Sequence, residues 1–311
     1  MSAPRHFGLI GLGAMGWPIA QTAAAAGAQV EVFDVSEAAR ERARAAGLTT
    51  HDDVRSLAAA CSTVVLSLPT PAIVESVVAE LAPAGGIVVL DTSTIDAATA
   101  RRCRDRLVAS GGDYADCPVL GRPERVGQWT LPVGGSDAAY ARAAQVLEPL
   151  ARAVPHVGDV GAASAVKVLN NLMLGAINAV TAEVLVLAEA AGLDPGVFVD
   201  VVLDSGAASV SGLFKDVGPR AVDGDFAPTF SLRLMHKDNA LAIAMAEEYG
   251  VPLLVGSAAQ TLNTMGMAAG HGDEDSIAVV RALEKLTGRS ARRHGGSARS
   301  ASVVVGEPDA G

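Results

Sequence analysis

Two polar residues interrupt a long apolar stretch of the chain, and their types and spacing could carry chemistry. Lys167 and Asn171 lie four residues apart in a segment of helical composition, 162–191, so they share one face of the predicted helix. A lysine there can donate a proton to a carbonyl oxygen as a hydride arrives, or remove one in the reverse direction, and the asparagine can orient the lysine and the substrate oxygen. A solvated lysine on an exposed helix face is the alternative interpretation.

A glycine-rich turn near the amino terminus indicates where a second reactant could bind. An apolar strand at 6–10 is followed by Gly11-Leu12-Gly13-Ala14-Met15-Gly16, a helix at 19–26, and a strand at 28–33 that ends on Asp34. Gly11 permits the tight turn, Gly13 lets the backbone approach a pyrophosphate, and Gly16 lets the helix pack against the strand. The helix start offers unpaired N–H groups to the phosphates. This order is the βαβ dinucleotide-binding fingerprint, although a plain glycine turn in another α/β protein has the same spacing.

The acidic residue that ends the second strand indicates which dinucleotide is preferred. Asp34 follows Gly11 by roughly the 20 residues that the fingerprint expects and can accept hydrogen bonds from the adenosine ribose diol. A 2′-phosphate would be repelled there. Val35 and Ser36 come next, and the nearest arginine is Arg40. The sequence therefore favours NAD over NADP as the cofactor.

Other candidate residues are open to two interpretations each. Lys237 and Asp238 form a second polar interruption of a helical stretch, which could equally be a solvent-facing turn. His236 could act as a base, but adjacent helix residues point about 100° apart. The segment 91–94 (DTST) closes a predicted strand, either as a helix cap or as hydroxyls beside the nicotinamide. Cys117 is expected to be a core residue and not a nucleophile.

Composition limits the class of protein. The 311 residues are 50% hydrophobic but only 4% aromatic, and the net charge of −10 argues against a nucleic-acid partner. The six histidines and three cysteines show no metal-ligand or disulfide spacing, so we expect no metal site and a reducing compartment. The apolar segment 172–193 contains polar residues, which argues against a membrane span. With no signal peptide before the first strand, a cytoplasmic location is expected.

The pattern of elements predicts a two-part α/β fold. Further short strands are predicted at 62–68, 86–90, 114–119, 130–133 and 153–157, and helices separate most of the early ones. This alternation indicates a mainly parallel sheet covered on both faces, a Rossmann domain over residues 1–161. After Gly161 we predict one long connecting helix and then only helices, at 195–204, 210–214, 232–249, 252–267 and 276–286. Residues 162–287 are therefore expected to form an all-helical domain for substrate binding and oligomerisation. The Gly-, Ser- and Arg-rich residues 288–311 are predicted to be a disordered tail. Because the long helix is apolar on most sides, we expect a homodimer or homotetramer.

Several separated motifs in this order resemble the β-hydroxyacid dehydrogenases, typified by 3-hydroxyisobutyrate dehydrogenase. The resemblance covers about residues 6–287. The motifs that carry it are GLGAMGWPIA (11–20), VLDTSTID (89–96), DCPVLGRPE (116–124), GAASAVKVLNN (161–171) and LMHKDNALA (234–242). The resemblance implies the two-domain fold described above, with a second domain like that of 6-phosphogluconate dehydrogenase.

The resemblance also implies roles for individual residues. Lys167 matches the family's catalytic lysine, and Asn171 matches its partner on the same helix. Lys237 matches a lysine that closes over cofactor and substrate, with Asp238 beside it. The remaining matches are Thr94 beside the nicotinamide, and Leu68 and Pro69 along the cofactor's riboses.

The substrate loop departs from the family pattern. The family commonly has A-P-V-S-G-G, whose serine and glycines bind the substrate carboxylate, whereas this chain has Leu120, Gly121 and Arg122 after Pro-Val. Leu120 cannot donate a side-chain hydrogen bond, but Arg122 could pair with an anion. The chain therefore resembles a divergent PVxGRP branch.

We expect an NAD-dependent dehydrogenase or reductase acting on a small 3-hydroxy acid or related alcohol or aldehyde. The alternatives are an imine or other carbonyl reductase, or a non-catalytic dinucleotide-binding regulator. Imine reductases share the fold but generally lack the lysine, so Lys167 argues for alcohol–carbonyl chemistry.

Overall fold

The computed structural model describes residues 5–205 and 211–293, and the chain divides into two compact units, Met1–Asn170 and Asn171–Gly311. The first unit contains all the described strands and the second is helical. This confirms the predicted fold class of a mainly parallel sheet followed by an all-α part. The sequence had set the boundary at 161/162, whereas the structure assigns the first turns of the long helix to the first unit.

Eight of the described strands form one sheet in the order β10-β8-β6-β5-β4-β1-β2-β3. All neighbouring pairs are parallel except β6 and β8. The strands are β1 (His6–Ile10), β2 (Gln29–Phe33), β3 (Thr49–Thr50), β4 (Thr63–Leu66), β5 (Val88–Asp91), β6 (Asp113–Asp116), β8 (Val133–Gly134) and β10 (His156–Gly158), while β7 (Trp129–Thr130) and β9 (Ala151–Ala153) pair separately.

Helices cover both faces of this sheet and begin at residues that cap them. Five of them start after Ser36, Asp53, Thr70, Asp96 and Ser136, whose side chains each accept a hydrogen bond from the N–H three residues on. The central strands are buried on both sides, which explains their continuous Val and Leu runs. The helices are α1 (Gly16–Ala25), α2 (Glu37–Ala45), α3 (Val54–Ala60), α4 (Pro71–Leu81), α5 (Ala97–Val108) and α6 (Asp137–Leu147).

The second unit is built on α7 (Ala162–Ala190), which starts in the first unit. The helices that follow are α8 (Pro195–Asp204), α9 (Gly212–Asp223), α10 (Leu232–Glu248), α11 (Leu254–Ala268) and α12 (Val279–Thr287). By length and composition alone, α7 could cross a membrane, but 44% of its most apolar window is buried within the protein. Buried residues in its second half, among them Leu185 and Val186, pack in the core of the helical unit.

Several predicted boundaries differ from the observed ones. The strand predicted at 114–119 ends at Asp116, because Pro118 has no N–H to continue a ladder. The segments 130–133 and 153–157 each fall at a junction of two short strands. The short helix predicted at 210–214 starts after Ser211, which caps it, and continues to Asp223; Val210 lies outside the described residues.

The prediction of a disordered tail is wrong for residues 288–293. Ala291 is fully buried, and the Arg293 N–H donates to the carbonyl of Val222 at 2.9 Å. The Arg293 guanidinium also pairs with Asp200 at 2.7 Å and with Asp223 at 3.2 Å. Arg293, one of the arginines of the predicted tail, is thus matched by carboxylates on α8 and α9. Residues 294–311 lie outside the described part of the chain.

Candidate active site

The glycine turn after β1 has the shape that a dinucleotide requires. Gly11 has φ = +97°, a left-handed conformation, and a side chain there would overlap the carbonyl oxygen of Ser67 at the end of β4. A side chain at Gly16 would overlap the carbonyl of Gly11, so the first turn of α1 can lie against the strand only with glycine at this position. Gly13 is exposed, and a side chain there would meet open space. The turn therefore presents bare backbone to a ligand at the start of α1.

Asp34 lies beside this turn at the end of β2. Its Oδ2 accepts a hydrogen bond from the Leu12 N–H at 2.7 Å, and its Oδ1 accepts one from Ser36 at 2.8 Å. The position thus brings a carboxylate to the turn, as the fingerprint predicts.

Two arginines lie close to the same carboxylate, and only one of them was considered from the sequence. Arg40 Nη1 donates to the backbone carbonyl of Asp34 at 2.5 Å, and Arg42 Nη2 donates to that of Leu12 at 2.6 Å. The Arg42 guanidinium also stacks 4.2 Å from the ring centre of Trp17. Local positive charge therefore accompanies Asp34 at the surface where an adenosine ribose would bind.

The segment 91–94 is tied to the end of β4. Ser93 Oγ accepts from the Leu68 N–H at 2.9 Å, and Thr92 Oγ1 donates to the Leu66 carbonyl at 2.6 Å. The helix-cap interpretation of this segment is wrong, because Asp96 caps α5. Thr94 is half-buried, whereas its three predecessors are buried. Thr94 and Leu68 therefore lie on one cross-linked pair of loops.

Two buried carboxylates follow β5 and β6. Burial raises the pKa of Asp91, while hydrogen bonds from Ser93 and from the Tyr114 hydroxyl at 2.7 Å oppose that change. Burial also raises the pKa of Asp116, which accepts backbone hydrogen bonds from Gly161 at 2.8 Å and from Ser164 at 2.6 Å. Sequence reasoning missed the role of Asp116, since its partners lie more than forty residues away.

Asp116 explains how Lys167 is held. It binds the N–H groups at the start of α7 and so fixes that end of the helix to the end of β6. Lys167 comes little more than one turn later and is half-buried. The lysine is therefore fixed relative to the sheet that carries the glycine turn.

The predicted residues of the helical unit form a buried cluster. Asn171 Nδ2 donates to Asp238 Oδ2 at 2.5 Å, and Lys237 Nζ lies 2.9 Å from Asp238 Oδ1. Asn171 and Asp238 are 2% and 1% exposed, so this carboxylate binds protein groups and not water. The observed contacts of Asp238 are thus to Asn171, whose amide it orients, and to Lys237.

Gly175 and Asn239 allow these two helices to approach. Asn239 on α10 is fully buried, and its amide group occupies the space that a side chain at Gly175 would fill. Neither residue had been singled out from the sequence. A glycine in the middle of a long helix is the signal that could have indicated this close approach.

The loop after β6 is shaped by a buried tryptophan. The Trp129 indole N–H donates to the Arg122 carbonyl at 2.7 Å, and its ring occupies the space beside Gly121. Leu120 pairs with Thr130 through two backbone hydrogen bonds. Leu120 and Arg122 are both half-buried, in a loop whose backbone is fixed.

Two other candidates belong to the scaffold. Cys117 is fully buried, and burial raises the pKa of its thiol well above the usual value, which confirms the core interpretation. His236 Nε2 lies 3.2 Å from Thr264 Oγ1, and its carbonyl accepts from Gln260. Both contacts of His236 are with α11.

Comparisons with known proteins identify the family. Residues 6–158 match the NAD-binding domain model of 6-phosphogluconate dehydrogenase, and 161–283 match the NAD-binding model of NADP-dependent 3-hydroxyisobutyrate dehydrogenase. The chain is 35% identical to 2-(hydroxymethyl)glutarate dehydrogenase of Eubacterium barkeri, over 91% of this chain and 96% of that protein. It belongs to the β-hydroxyacid dehydrogenases, a family of nicotinamide-dependent oxidoreductases.

Solved structures agree with this family. The Mycobacterium tuberculosis 3-hydroxyisobutyrate dehydrogenase with L-serine superposes with a TM-score of 0.82 at 31% identity, covering 90% of this chain and 99% of that one. Psf3 in complex with NADP⁺ and 2-OPP gives 0.78 at 25% identity, covering 89% and 99%. An imine reductase of Streptomyces aurantiacus gives 0.62 at 22% identity, covering 90% and 99%, and shares the fold.

Proposed function

We propose that this protein is an NAD-dependent dehydrogenase that interconverts a small 3-hydroxy acid and the corresponding aldehyde, with Lys167 as the general acid/base. The observation that supports this most is the attachment of α7 to Asp116, which fixes Lys167 relative to the sheet that carries the glycine turn. NAD supplies the hydride acceptor when it is bound.

In this proposal each polar residue has a separate task. Lys167 takes the hydroxyl proton as the carbonyl forms and returns it in the reverse direction. Asn171, whose amide is oriented by Asp238, positions the lysine and the reacting oxygen. Thr94 contributes a hydroxyl from its cross-linked loop, and Lys237 contributes a cation at the Asp238 end of the cluster.

The test of the reaction class is a substrate screen combined with a lysine variant. Hydroxy acids, aldehydes and cyclic imines are compared by NAD(H) absorbance, and we expect turnover of a hydroxy acid or its aldehyde. Lys167→Ala should lower kcat by about 10² or more, the scale for loss of a general acid/base, while NAD still binds. Lys285→Ala changes an exposed lysine on α12 and is the matched control. Turnover near wild type in Lys167→Ala, or selective reduction of imines, would favour the imine-reductase alternative.

We further propose that Arg122 binds an anionic group of the substrate. Leu120 offers no side-chain hydrogen bond, and its backbone is already paired with Thr130. Of the two arginines in this loop, Arg122 is half-buried and Arg125 is exposed, so Arg122 is the charged partner that we propose for an anion. The name of the Eubacterium barkeri relative, 2-(hydroxymethyl)glutarate dehydrogenase, denotes a substrate with two carboxylates.

Arg122→Ala should raise KM for acidic substrates by about tenfold or more, on the scale of about 1.5–3 kcal/mol for a charge-assisted hydrogen bond. The control is Arg125→Ala, which removes an exposed arginine from the same turn. An unchanged KM for acids, with better turnover of neutral apolar alcohols, would show instead that Leu120 lines a pocket for a neutral substrate.

The proposed assembly is a homodimer or homotetramer formed through α7. The apolar residues Val166, Leu169, Met173, Val180 and Leu187 are 37–67% exposed. Their spacing of three, four and seven residues is that of a coiled-coil seam. An exposed apolar stripe of this length is typical of a surface that packs against another chain.

A further inference from the structure

A cluster of metal-type ligands lies on one face of the first sheet, away from the glycine turn. His6 begins β1, Glu31 lies in β2 opposite Gly8, and Cys61 directly follows α3. Because residues 6 and 8 of a strand share a face, His6 and Glu31 project to the side that α3 covers. There, Gly8 has no side chain and leaves room for Leu57 of α3, which brings Cys61 within reach.

The three potential ligand atoms are already close together. His6 Nε2 lies 2.9 Å from Glu31 Oε1 and 3.5 Å from Cys61 Sγ, and all three atoms lie within 4.8 Å of one another. For zinc bonds of about 2.0–2.3 Å at tetrahedral angles, ligand atoms are about 3.3–3.7 Å apart. The distance between His6 Nε2 and Cys61 Sγ lies within this range. The distance between His6 Nε2 and Glu31 Oε1 must increase by only a few tenths of an ångström.

We propose that His6, Glu31 and Cys61 form a binding site for a divalent transition-metal ion of the zinc class. Imidazole and thiolate are the ligands that such ions prefer over the oxygen-rich sets of Mg²⁺ and Ca²⁺. One carboxylate and one thiolate balance the charge of a divalent ion. The fourth coordination position is taken by water.

A fourth residue orients the carboxylate. His51 Nε2 lies 2.6 Å from Glu31 Oε2, so one oxygen of Glu31 is held by His51 while the other faces His6. A partner behind a ligating carboxylate is typical of metal sites.

The thiol determines the proton balance of binding. Cysteine binds a metal ion as the thiolate. Forming the sulfur–metal bond therefore breaks the S–H bond and releases one proton to solvent. An ion can enter past His6, whose side chain is 36% exposed, while Cys61 itself is buried. His6 is the first residue of β1 and Gly11 directly follows its last residue, so the length of the strand separates this cluster from the glycine turn.

The sequence alone did not indicate this cluster, and no metal site was expected. Residues 6, 31, 51 and 61 have no ligand spacing, and only the pairing of β1 with β2 and the placement of α3 bring their side chains together.

Cobalt(II) titration of chelator-treated protein tests the proposal, because a cobalt–thiolate bond has its own near-ultraviolet charge-transfer absorption and tetrahedral cobalt has intense visible bands. We expect one equivalent of Co²⁺ to produce both signals and Zn²⁺ to displace it. Cys61→Ser should abolish the thiolate absorption and weaken binding at least about tenfold. Cys103→Ser is the matched control, since Cys103 is as buried as Cys61 and is absent from the cluster.

The proposal is overturned if wild-type protein gives no thiolate absorption, or if Cys61→Ser keeps it. Circular dichroism shows whether each variant folds. Should Cys61→Ser fail to fold, His6→Gln decides, because it keeps the thiol and removes one ligand: Co²⁺ affinity reduced at least about tenfold supports the site, and unchanged affinity refutes it.

Discussion

The carboxylate of Asp34 faces a glycine turn while two arginines are held at its edges by backbone carbonyls. Arg40 donates to the carbonyl of Asp34, and Arg42 donates to that of Leu12. A ribose diol would therefore meet an acceptor at Asp34, whereas a 2′-phosphate would meet a like charge first. The residue's position supports a preference for NAD, and the arginines limit how large that preference can be.

The preference is measured by the dissociation constants of the two reduced cofactors. We expect NADH to bind more tightly than NADPH to the wild-type protein, and Asp34→Ala to narrow the difference because repulsion of the 2′-phosphate is removed. Asp52→Ala, an exposed carboxylate after β3, should leave the ratio unchanged. Equal or reversed affinities in the wild type would contradict the proposal.

At the scale of elements, the start of α7 depends on one carboxylate. Asp116 accepts from two N–H groups at the helix start, at the cost of being buried, as its raised pKa reflects. Asp116→Asn keeps the volume but removes the charge and one acceptor oxygen. We expect kcat to fall about tenfold or more, because a small shift of α7 misplaces Lys167, while the dissociation constant for NADH changes little.

The control is Asp113→Asn on the same strand, whose carboxylate binds Ser136 and Tyr114 at the other end of β6. It should leave kcat unchanged. An Asp116→Asn enzyme with wild-type kcat would show that Asp116 has only a capping role.

The same variant has an expected effect on the pH dependence of stability. A carboxyl group whose pKa is raised on folding contributes most to the free energy of unfolding when the pH is below its pKa in the unfolded chain. That contribution is lost as the pH rises through its pKa in the folded protein. In the Asp116→Asn variant, the free energy of unfolding should therefore fall less as the pH rises. Denaturant unfolding at several pH values measures it.

The sequence predicted the elements that carry strong local signals, and missed contacts between distant residues. The glycine turn with Asp34 and the helix from Ala162 were predictable, because each is defined by neighbours in sequence. The hydrogen bonds from the N–H groups of Gly161 and Ser164 to Asp116 join residues that are 45 and 48 positions apart, and no local periodicity encodes them. The two-residue strand β3 was missed because it is too short to show alternation.

The tail was mispredicted for a related reason. Composition indicated disorder from residue 288 onward, but the carboxylates that bind Arg293 lie 93 and 70 residues earlier. The role of Lys167 was predicted from its place in an apolar helix and from the family resemblance, and that of Lys237 from the resemblance. The role of Arg122 was predicted from the departure of its loop from the family pattern. All three stay predictions until they are tested.

For the whole molecule, the exposed seam of α7 leads to a prediction about assembly. We expect light scattering at micromolar concentration to show a dimer or tetramer. Met173→Glu combined with Val180→Glu should dissociate it, because two charges would be buried in an apolar contact. Leu286→Glu, an equally exposed apolar residue on α12, should not. A monomeric wild-type protein would contradict this proposal.

The ion pairs of Arg293 with Asp200 and Asp223 determine where the chain can be shortened. The family match ends at residue 283 and α12 ends at Thr287. A shortened protein designed from either limit would therefore lack Arg293. Asp200, whose side chain is only 12% exposed, would then lose its cation, and removing one partner of a buried pair costs about 3–5 kcal/mol. A recombinant version intended to remain folded must therefore retain the chain through Arg293, six residues beyond the end of α12.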